Sequence, residues 1–197
     1  MTFKLGLTGS IGMGKSTTAQ LFLDRGCGLW DADAAVHRLY GVGGAAVGEF
    51  RKSLPEAVEN NQISRKILKE MINRDKTVLK TIEAIVHPLV RADRETVFAN
   101  ATQDIMVFDI PLLFETKSQS EFDAVACVHV SDAEQTRRVM ARGTMTRDQF
   151  EMIRAKQMSI AEKLALSDYQ IETTTIDYAA HQVDAIIADI KTRIAHA

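Results

Sequence analysis

Hydrophobic residues follow two different periods along the chain, and the two alternate. Short apolar runs of the kind that forms strands occupy residues 3–8, 28–31, 104–109, 123–130 and 169–173. Segments with apolar residues at helical spacing separate these runs, an order that predicts an α/β fold with a parallel sheet and helices on both faces. Residues 105–108 are continuously apolar, which is typical of a central strand.

The interval 34–100 departs from this alternation. Its pattern predicts helices over residues 34–40, 44–54, 64–73 and 76–98, with a break near Pro88 and no strand. An interval of this length exceeds what a simple crossover between strands needs. We interpret it as a helical insertion that covers a second substrate.

Two further helical segments follow. The block 133–166 is rich in arginine, and a final helix is predicted over residues 179–195. One face of that helix carries Val183, Ile186, Ile187, Ile190 and Ile194. Such a stripe is typical of packing alone.

Composition narrows the class of protein. Of 197 residues, 46% are hydrophobic and 25% are charged, which suits one sizeable core with a small inserted subdomain. The net charge of −2 disfavours general nucleic-acid binding. Cys27 and Cys127 form no C-x-x-C pair and suit a reducing compartment. No secretion signal is recognisable and no apolar stretch approaches the roughly 18 residues of a membrane span, so we expect a cytoplasmic chain.

Residues 9–16, Gly-Ser-Ile-Gly-Met-Gly-Lys-Ser, fit the phosphate-binding loop G-x-x-x-x-G-K-[ST], between a predicted strand and a predicted helix. The glycines let the backbone turn its N–H groups toward a polyanion, and the helix dipole favours the same anion. Lys15 would reach the β- and γ-phosphates, and the Ser16 hydroxyl would hold Mg²⁺. We assign nucleotide binding to Gly12, Met13, Gly14, Lys15, Ser16 and Thr17.

Two carboxylates, Asp31 and Asp33, end the second predicted strand, where ligands of open parallel sheets bind. A carboxylate there can accept a proton from a substrate hydroxyl or hold Mg²⁺ through water. Alternatively, Asp33 only caps the next helix. His37 lies one turn after Asp33 on the same face and could reach the same phosphates.

Four arginines, Arg137, Arg138, Arg142 and Arg147, lie in the second helical block. Arg138 and Arg142 are four residues apart and share a helix face. Arginines on a mobile helical segment can clamp transferring phosphates, as a lid does, and the alternative is a solvated basic face.

Three more positions are candidates. Asp109 ends an apolar strand, like the Walker B carboxylate that helps to hold Mg²⁺. Glu115 follows it and could equally be an ordinary surface charge. His87 precedes Pro88, a position that disfavours helical geometry, so His87 could point from a bend toward a ligand or be a structural histidine.

Several of these motifs occur together in one family. Residues 7–17 resemble the phosphate loop of the dephospho-coenzyme A kinases, and Asp31-Ala32-Asp33 resembles that family's D-x-D motif. His87-Pro88-Leu89 resembles its H-P-L motif, and residues 111–115 resemble its P-L-L-x-E motif. Residues 135–142, with Gln157, resemble its lid. The order and spacing of these motifs make the resemblance specific.

The resemblance implies a single P-loop kinase domain like the nucleoside monophosphate kinases. A five-stranded parallel core would comprise residues 1–33, 101–132 and 167–197, with a helical substrate-binding insertion at 34–100 and an arginine-rich lid at 133–166. The implied reaction transfers the γ-phosphate of ATP to the 3′-hydroxyl of dephospho-coenzyme A. The implied partners are small molecules, with no nucleic acid or membrane, and the chain would be a monomer or a weak oligomer.

The resemblance also implies roles for single residues. Lys15 would bind the ATP phosphates, Asp33 would act as base or position the hydroxyl, and Arg138 would contact phosphate from the lid. Arg142 would contact the nucleotide. The residues implied in substrate binding are Asp33, His37, His87, Pro111 and Leu112.

The chain departs from the family pattern at three places. Ser10 replaces a frequent glycine and can still supply its N–H if its backbone stays in an allowed region. His37 stands where many members have arginine, and residues 172–175, Glu-Thr-Thr-Thr, stand where the family often has D-N-x-G. Another small-molecule P-loop kinase, of the nucleoside monophosphate or shikimate type, is the main alternative. A GTPase-like switch would need an N-K-x-D motif, which the sequence lacks.

Overall fold

A computed structural model of the chain describes residues 2–196. The strands are β1 Phe3–Thr8, β2 Gly28–Asp31, β3 Val58–Glu59, β4 Gln62–Ile63, β5 Ile105–Asp109, β6 Ala124–His129 and β7 Tyr169–Glu172. The helices are α1 Lys15–Leu23, α2 Ala32–Tyr40, α3 Ala45–Ser53, α4 Arg65–Arg74, α5 Val78–Ala99, α6 Asp132–Ala141, α7 Arg147–Lys156, α8 Ile160–Ala165 and α9 Ile176–Ala195. Two short 3-10 helices span Pro55–Ala57 and Gln119–Glu121.

The chain divides into two compact units. One comprises the residues up to Trp30 together with those from Ala101 onward, and the other is Asp31–Asn100. None of the helices among residues 2–196 is long and apolar enough to cross a membrane.

The first unit is built on a five-stranded sheet in the order β2-β5-β1-β6-β7. β1 lies at its centre and pairs in parallel with β5 and β6, with Leu5 opposite both Val107 and Ala124. This confirms the predicted parallel sheet, and the five predicted strands match the observed ones to within one residue at either end. β2 and β5 lie on one side of β1, whereas β6 and β7 lie on the other, so the loop after β1 lies where such sheets bind ligands.

The core of the first unit lies between the sheet and helices α1 and α9. Phe22 of α1 meets the α9 stripe there, and four of the five predicted stripe residues are buried while Ile194 packs against them. α9 begins at Ile176, three residues earlier than predicted, because the Thr175 side chain accepts a hydrogen bond from the Tyr178 N–H and caps the helix.

The second unit has its own apolar core, in which α2 and α3 pack against α5. Contrary to our prediction, this unit contains strands. β3 and β4 form a two-stranded antiparallel hairpin, and its turn residues Asn60 and Asn61 have φ values of 48° and 59°. Strands of two residues are too short to show a period, and the Asn-Asn pair, which tolerates this backbone conformation, is the only signal in the sequence.

The predicted break at Pro88 is also wrong, since α5 runs without interruption from Val78 to Ala99. His87 is therefore helical rather than at a bend. Proline removes a single backbone donor, and Pro88 lies on the exposed face, where water can satisfy the carbonyl that loses its partner. Apolar contacts on both sides of Pro88, from Val86 and Leu89, hold the two halves of the helix against the same core.

Candidate active site

The loop between β1 and α1 has a backbone that only glycine adopts easily. Gly12 and Gly14 have φ values of 78° and 87°. A Cβ atom on Gly12 would also lie 2.4 Å from Val139 Cγ2 on α6, so the loop and α6 are in close contact. The loop leads directly into α1, whose first turn holds no acidic residue that would compete with a bound anion.

Two other loop residues clarify what the loop offers a nucleotide. Ser10 does not have a positive φ, so its backbone stays in an allowed region, as its N–H needs if it is to serve the loop. Its carbonyl accepts a hydrogen bond from the Met13 N–H at 3.2 Å. The Met13 side chain is buried in the core, so it offers no side-chain contact to a nucleotide.

Lys15 and Asp109 are brought together at the end of the sheet. Lys15 begins α1 and Asp109 ends β5, and their side chains form an ion pair. The Asp109 side chain is 1% exposed and the Lys15 side chain 14% exposed. The ammonium group compensates a carboxylate that would otherwise be buried as an uncompensated charge.

Arg138 of α6 donates hydrogen bonds to four protein oxygens, the most distant of which is the Thr174 carbonyl at 3.3 Å. Its Nε donates to Glu134 Oε1 at 2.8 Å, its Nη1 to Thr173 Oγ1 at 3.1 Å, and its Nη2 to the Thr173 carbonyl at 2.7 Å. Its side chain is 20% exposed, whereas the neighbouring Arg137 is mostly exposed and bonds only to Glu134 among the contacts the structure gives. A solvated basic face therefore describes Arg137 but not Arg138.

Glu134 anchors both arginines. Hydrogen bonds from Arg137 and then Arg138 lower the pKa of the Glu134 carboxyl to about 2, against a partly opposing effect of desolvation. The group is therefore ionised throughout the physiological range and can hold Arg138 in one orientation.

A cavity of about 190 Å³ lies beside the loop. Its walls come from Gly14, Thr17, Arg138, Arg142 and residues 173–176, with Thr18 and Ala179. Gly14, Thr17, Arg138 and Arg142, which were predicted to bind nucleotide or phosphate, thus line the same cavity. The cavity is also lined by residues 173–175, which depart from the family pattern.

Thr173 lines this cavity, and the sequence analysis predicted no contact for its side chain. Its hydroxyl donates to the Met13 carbonyl at 2.8 Å and accepts from Arg138, and its N–H donates to the His129 carbonyl at 2.9 Å. It therefore links the phosphate loop, the arginine of α6 and the sheet. The run of three threonines at 173–175 was the only unusual feature of the sequence here, and such a run does not reveal hydrogen-bond partners that are far away in sequence.

Glu115 is not an ordinary surface charge. Its Oε1 lies 2.9 Å from Nζ of Lys163, which is fully buried, and accepts a hydrogen bond from the Met158 N–H at 2.9 Å. The Lys163 Nζ also donates to the Pro111 carbonyl at 3.2 Å. Pro111 is half-buried and Leu112 exposed, on a segment that this ion pair ties to α8. Nothing in the sequence predicted that Lys163 is buried.

The remaining predicted residues lie in the second unit. Asp31 caps α2, because its carboxylate accepts a hydrogen bond from the Ala34 N–H at 2.6 Å. The interpretation of Asp33 as the cap is therefore wrong, and Asp33 is an exposed residue of the first turn, with His37 exposed one turn later. His87 is exposed on α5. Among residues 2–196, no three or more His, Cys, Asp or Glu side chains cluster in a way that could hold a metal ion.

Comparisons with known proteins show the family to which the chain belongs. The family model for dephospho-CoA kinase matches residues 3–177. A dephospho-CoA kinase from Ruegeria pomeroyi is 60% identical over 197 residues, covering 100% of both chains. The chain belongs to the dephospho-CoA kinase family. The resemblance seen in the sequence is thus confirmed.

Solved structures show how widely the fold of this family member is shared. A crystal structure from Thermus thermophilus is 30% identical, with a TM-score of 0.84 over 95% of this chain and 97% of that one. A shikimate kinase from Bacteroides thetaiotaomicron is 11% identical, with a TM-score of 0.53 over 97% of this chain and 99% of that one. At that identity the likeness shows a common P-loop kinase fold and nothing about the acceptor.

Proposed function

We propose that this chain transfers the γ-phosphate of ATP to the 3′-hydroxyl of dephospho-CoA, giving CoA and ADP. Membership of the family carries the proposal, and the loop, Lys15 and the fixed Arg138 support it with the parts that phosphoryl transfer needs. Such a reaction requires little covalent chemistry from the protein, which positions the two substrates and neutralises developing charge.

On the nucleotide side, the N–H groups of the loop and the Lys15 ammonium bind the β- and γ-phosphates. To reach them, Lys15 exchanges the Asp109 carboxylate for phosphate oxygens, since an ammonium has three donors on a flexible stem. Arg138 presents its guanidinium to the cavity in an orientation fixed by Glu134 and Thr173, and Arg142 borders the same space.

The residues at the loop also suit Mg²⁺. Ser16 offers an exposed hydroxyl in the first turn of α1, and the Asp109 carboxylate ends the adjacent strand and can act through water. A bound Mg²⁺ would neutralise charge on the phosphates. The Ser16 hydroxyl would hold it directly, and Asp109 would act through water.

On the acceptor side, Asp33 accepts the proton of the ribose hydroxyl or holds that hydroxyl in line. His37, His87, Pro111 and Leu112 contribute to substrate binding. We expect the enzyme to act in the cytoplasm on small molecules alone, as a monomer or weak oligomer, without nucleic acid or membrane.

An acceptor panel tests the proposal. The purified chain with Mg-ATP is given dephospho-CoA, AMP, dTMP, shikimate or adenosine, while ADP release is followed and products are weighed by mass spectrometry. We expect efficient turnover of dephospho-CoA with one phosphate added to the ribose, and poor turnover of the others. Preference for a nucleoside monophosphate or shikimate would instead favour another small-molecule kinase of the same fold.

A further inference from the structure

One peptide segment of the phosphate loop, at Ile11, is held from two sides by glutamine side chains. Gln135 Nε2 donates to the Ile11 carbonyl at 2.7 Å, and Gln157 Oε1 accepts from the Ile11 N–H at 3.2 Å. The backbone fixes the polarity of both contacts. A carbonyl can meet only a donor and an N–H only an acceptor, so the two carboxamides must face Ile11 with opposite ends.

The two glutamines come from different helices. Gln135 lies on α6, one turn before Arg138, and is 1% exposed. Gln157 is the C-cap of α7, where the chain leaves helical geometry on its way to α8. The Ile11 contacts therefore tie the loop to two elements of the helical block at once.

These contacts lie at a different cavity from the one of about 190 Å³ described above. Both glutamines border a second cavity, of about 440 Å³, together with Ser10 and Met13. The cavity beside Gly14 is bordered by Arg138 and Arg142 instead.

We propose that Gln135 and Gln157 are positioning residues that hold the phosphate loop in its binding shape, and we call the pair with Ile11 the Ile11 clamp. A loop with glycines at positions 9, 12 and 14 loses much conformational freedom when it binds a nucleotide. The clamp removes part of that freedom beforehand, so the phosphate-facing N–H groups are already in place. ATP affinity should depend on the clamp, and affinity for the acceptor should not.

Two matched variants test this. Gln135→Glu and Gln157→Glu each place one carboxylate beside the backbone of Ile11, so the two variants are matched in formal charge. They differ in hydrogen bonding. A carboxylate at 157 still accepts from the Ile11 N–H, whereas one at 135 faces the Ile11 carbonyl with no donor. Calorimetric titration with Mg-ATP, without acceptor, should show a dissociation constant at least about 10-fold weaker for Gln135→Glu than for Gln157→Glu.

A second measurement covers the chance that Gln135→Glu destabilises the fold. Hydrogen exchange of the Ile11 amide should be slow in the wild type and in Gln157→Glu, and faster by about 2- to 10-fold in Gln157→Met, which keeps the length but not the acceptor. Thermal unfolding of all variants shows whether they are folded. The proposal is overturned if the two Glu variants bind ATP equally well, or if Gln157→Met leaves both the Ile11 exchange and ATP affinity unchanged.

These outcomes do not depend on the acceptor. The clamp rests on the proposed function only in taking ATP as the nucleotide. If the chain bound Mg-ATP with the expected pattern but failed to phosphorylate dephospho-CoA, the clamp would stand and the proposed reaction would fall.

Discussion

The two units carry their candidate residues in contrasting ways. In the first unit, Lys15 and Arg138 are hydrogen-bonded to buried partners, Asp109 and Thr173. In the second unit, Asp33, His37 and His87 are exposed on helices whose buried faces form a separate apolar core. On the proposed assignment, the residues of the nucleotide side are thus held by protein contacts before any ligand arrives, whereas those of the second unit would gain partners from the substrate. Loss of a residue should therefore have different consequences in the two units.

The largest effect is expected for Lys15→Ala. Loss of an electrostatic contact to the transferring phosphate should lower kcat by about 10²–10³-fold. Because Lys15 also compensates the buried Asp109 carboxylate, the free energy of unfolding should fall by about 1–3 kcal/mol. Steady-state kinetics and thermal unfolding measure the two effects, and near wild-type kcat in a folded Lys15→Ala protein would contradict the role given to this lysine.

Asp33→Asn is expected to lower kcat by about 10²-fold with little loss of stability, because asparagine keeps the shape of an exposed side chain but cannot take a proton. Asp31→Asn is the matched control. Asparagine caps helices about as well as aspartate, so this change should leave both kcat and stability nearly unchanged. If Asp31→Asn proved the more damaging, the wrong carboxylate would have been assigned.

Arg138→Lys should lower kcat/KM for ATP by about 10-fold although charge is kept. The guanidinium donates to Glu134 and Thr173 in a planar fork that an ammonium cannot copy. Arg137→Lys, on the same helix and bonded to the same carboxylate, is the control and should be nearly silent. Equal effects from the two changes would show that Arg138 contributes only surface charge.

A smaller effect is expected at Thr173. Thr173→Val keeps the side-chain volume but loses the hydroxyl that joins Met13 to Arg138, so KM for ATP should rise by about 2- to 10-fold. Thr173→Ser keeps the hydroxyl and should restore affinity. Steady-state kinetics of both variants at varied Mg-ATP measures KM, and an unchanged KM in Thr173→Val would show that the hydroxyl does not support ATP binding.

The smallest effect concerns acid stability at Glu134. Arginine hydrogen bonds lower the pKa of its carboxyl from 4.5 to about 2 in the folded chain. The stabilisation is therefore fully present above pH 4.5 and is lost as the pH falls toward 2. Unfolding of wild type and Glu134→Gln, compared between pH 6 and pH 2, should show a stability difference that narrows over this window. A difference that is constant with pH would contradict the assignment.

Sequence reasoning worked where the signal is local. The phosphate loop sits between β1 and α1 as the motif and the alternating run before it predict, and the continuous apolar run of β5 predicted a central strand. Sequence reasoning did not predict the side-chain partners of these elements, because the partners are distant in sequence. Thr173 reaches Met13 across 160 residues, and Lys163 reaches Pro111 across 52. The hydroxyl of a threonine and the burial of a lysine leave no periodic pattern, so only the fold reveals them.

Calorimetric titration of Asp33→Asn with Mg-ATP in the absence of acceptor tests the contrast between the units most directly. The account predicts a dissociation constant for ATP within about twofold of the wild type, although kcat falls by about 10²-fold. Weakening of ATP binding by as large a factor as the loss of kcat would contradict it, because the nucleotide side would then depend on the residue assigned to the acceptor.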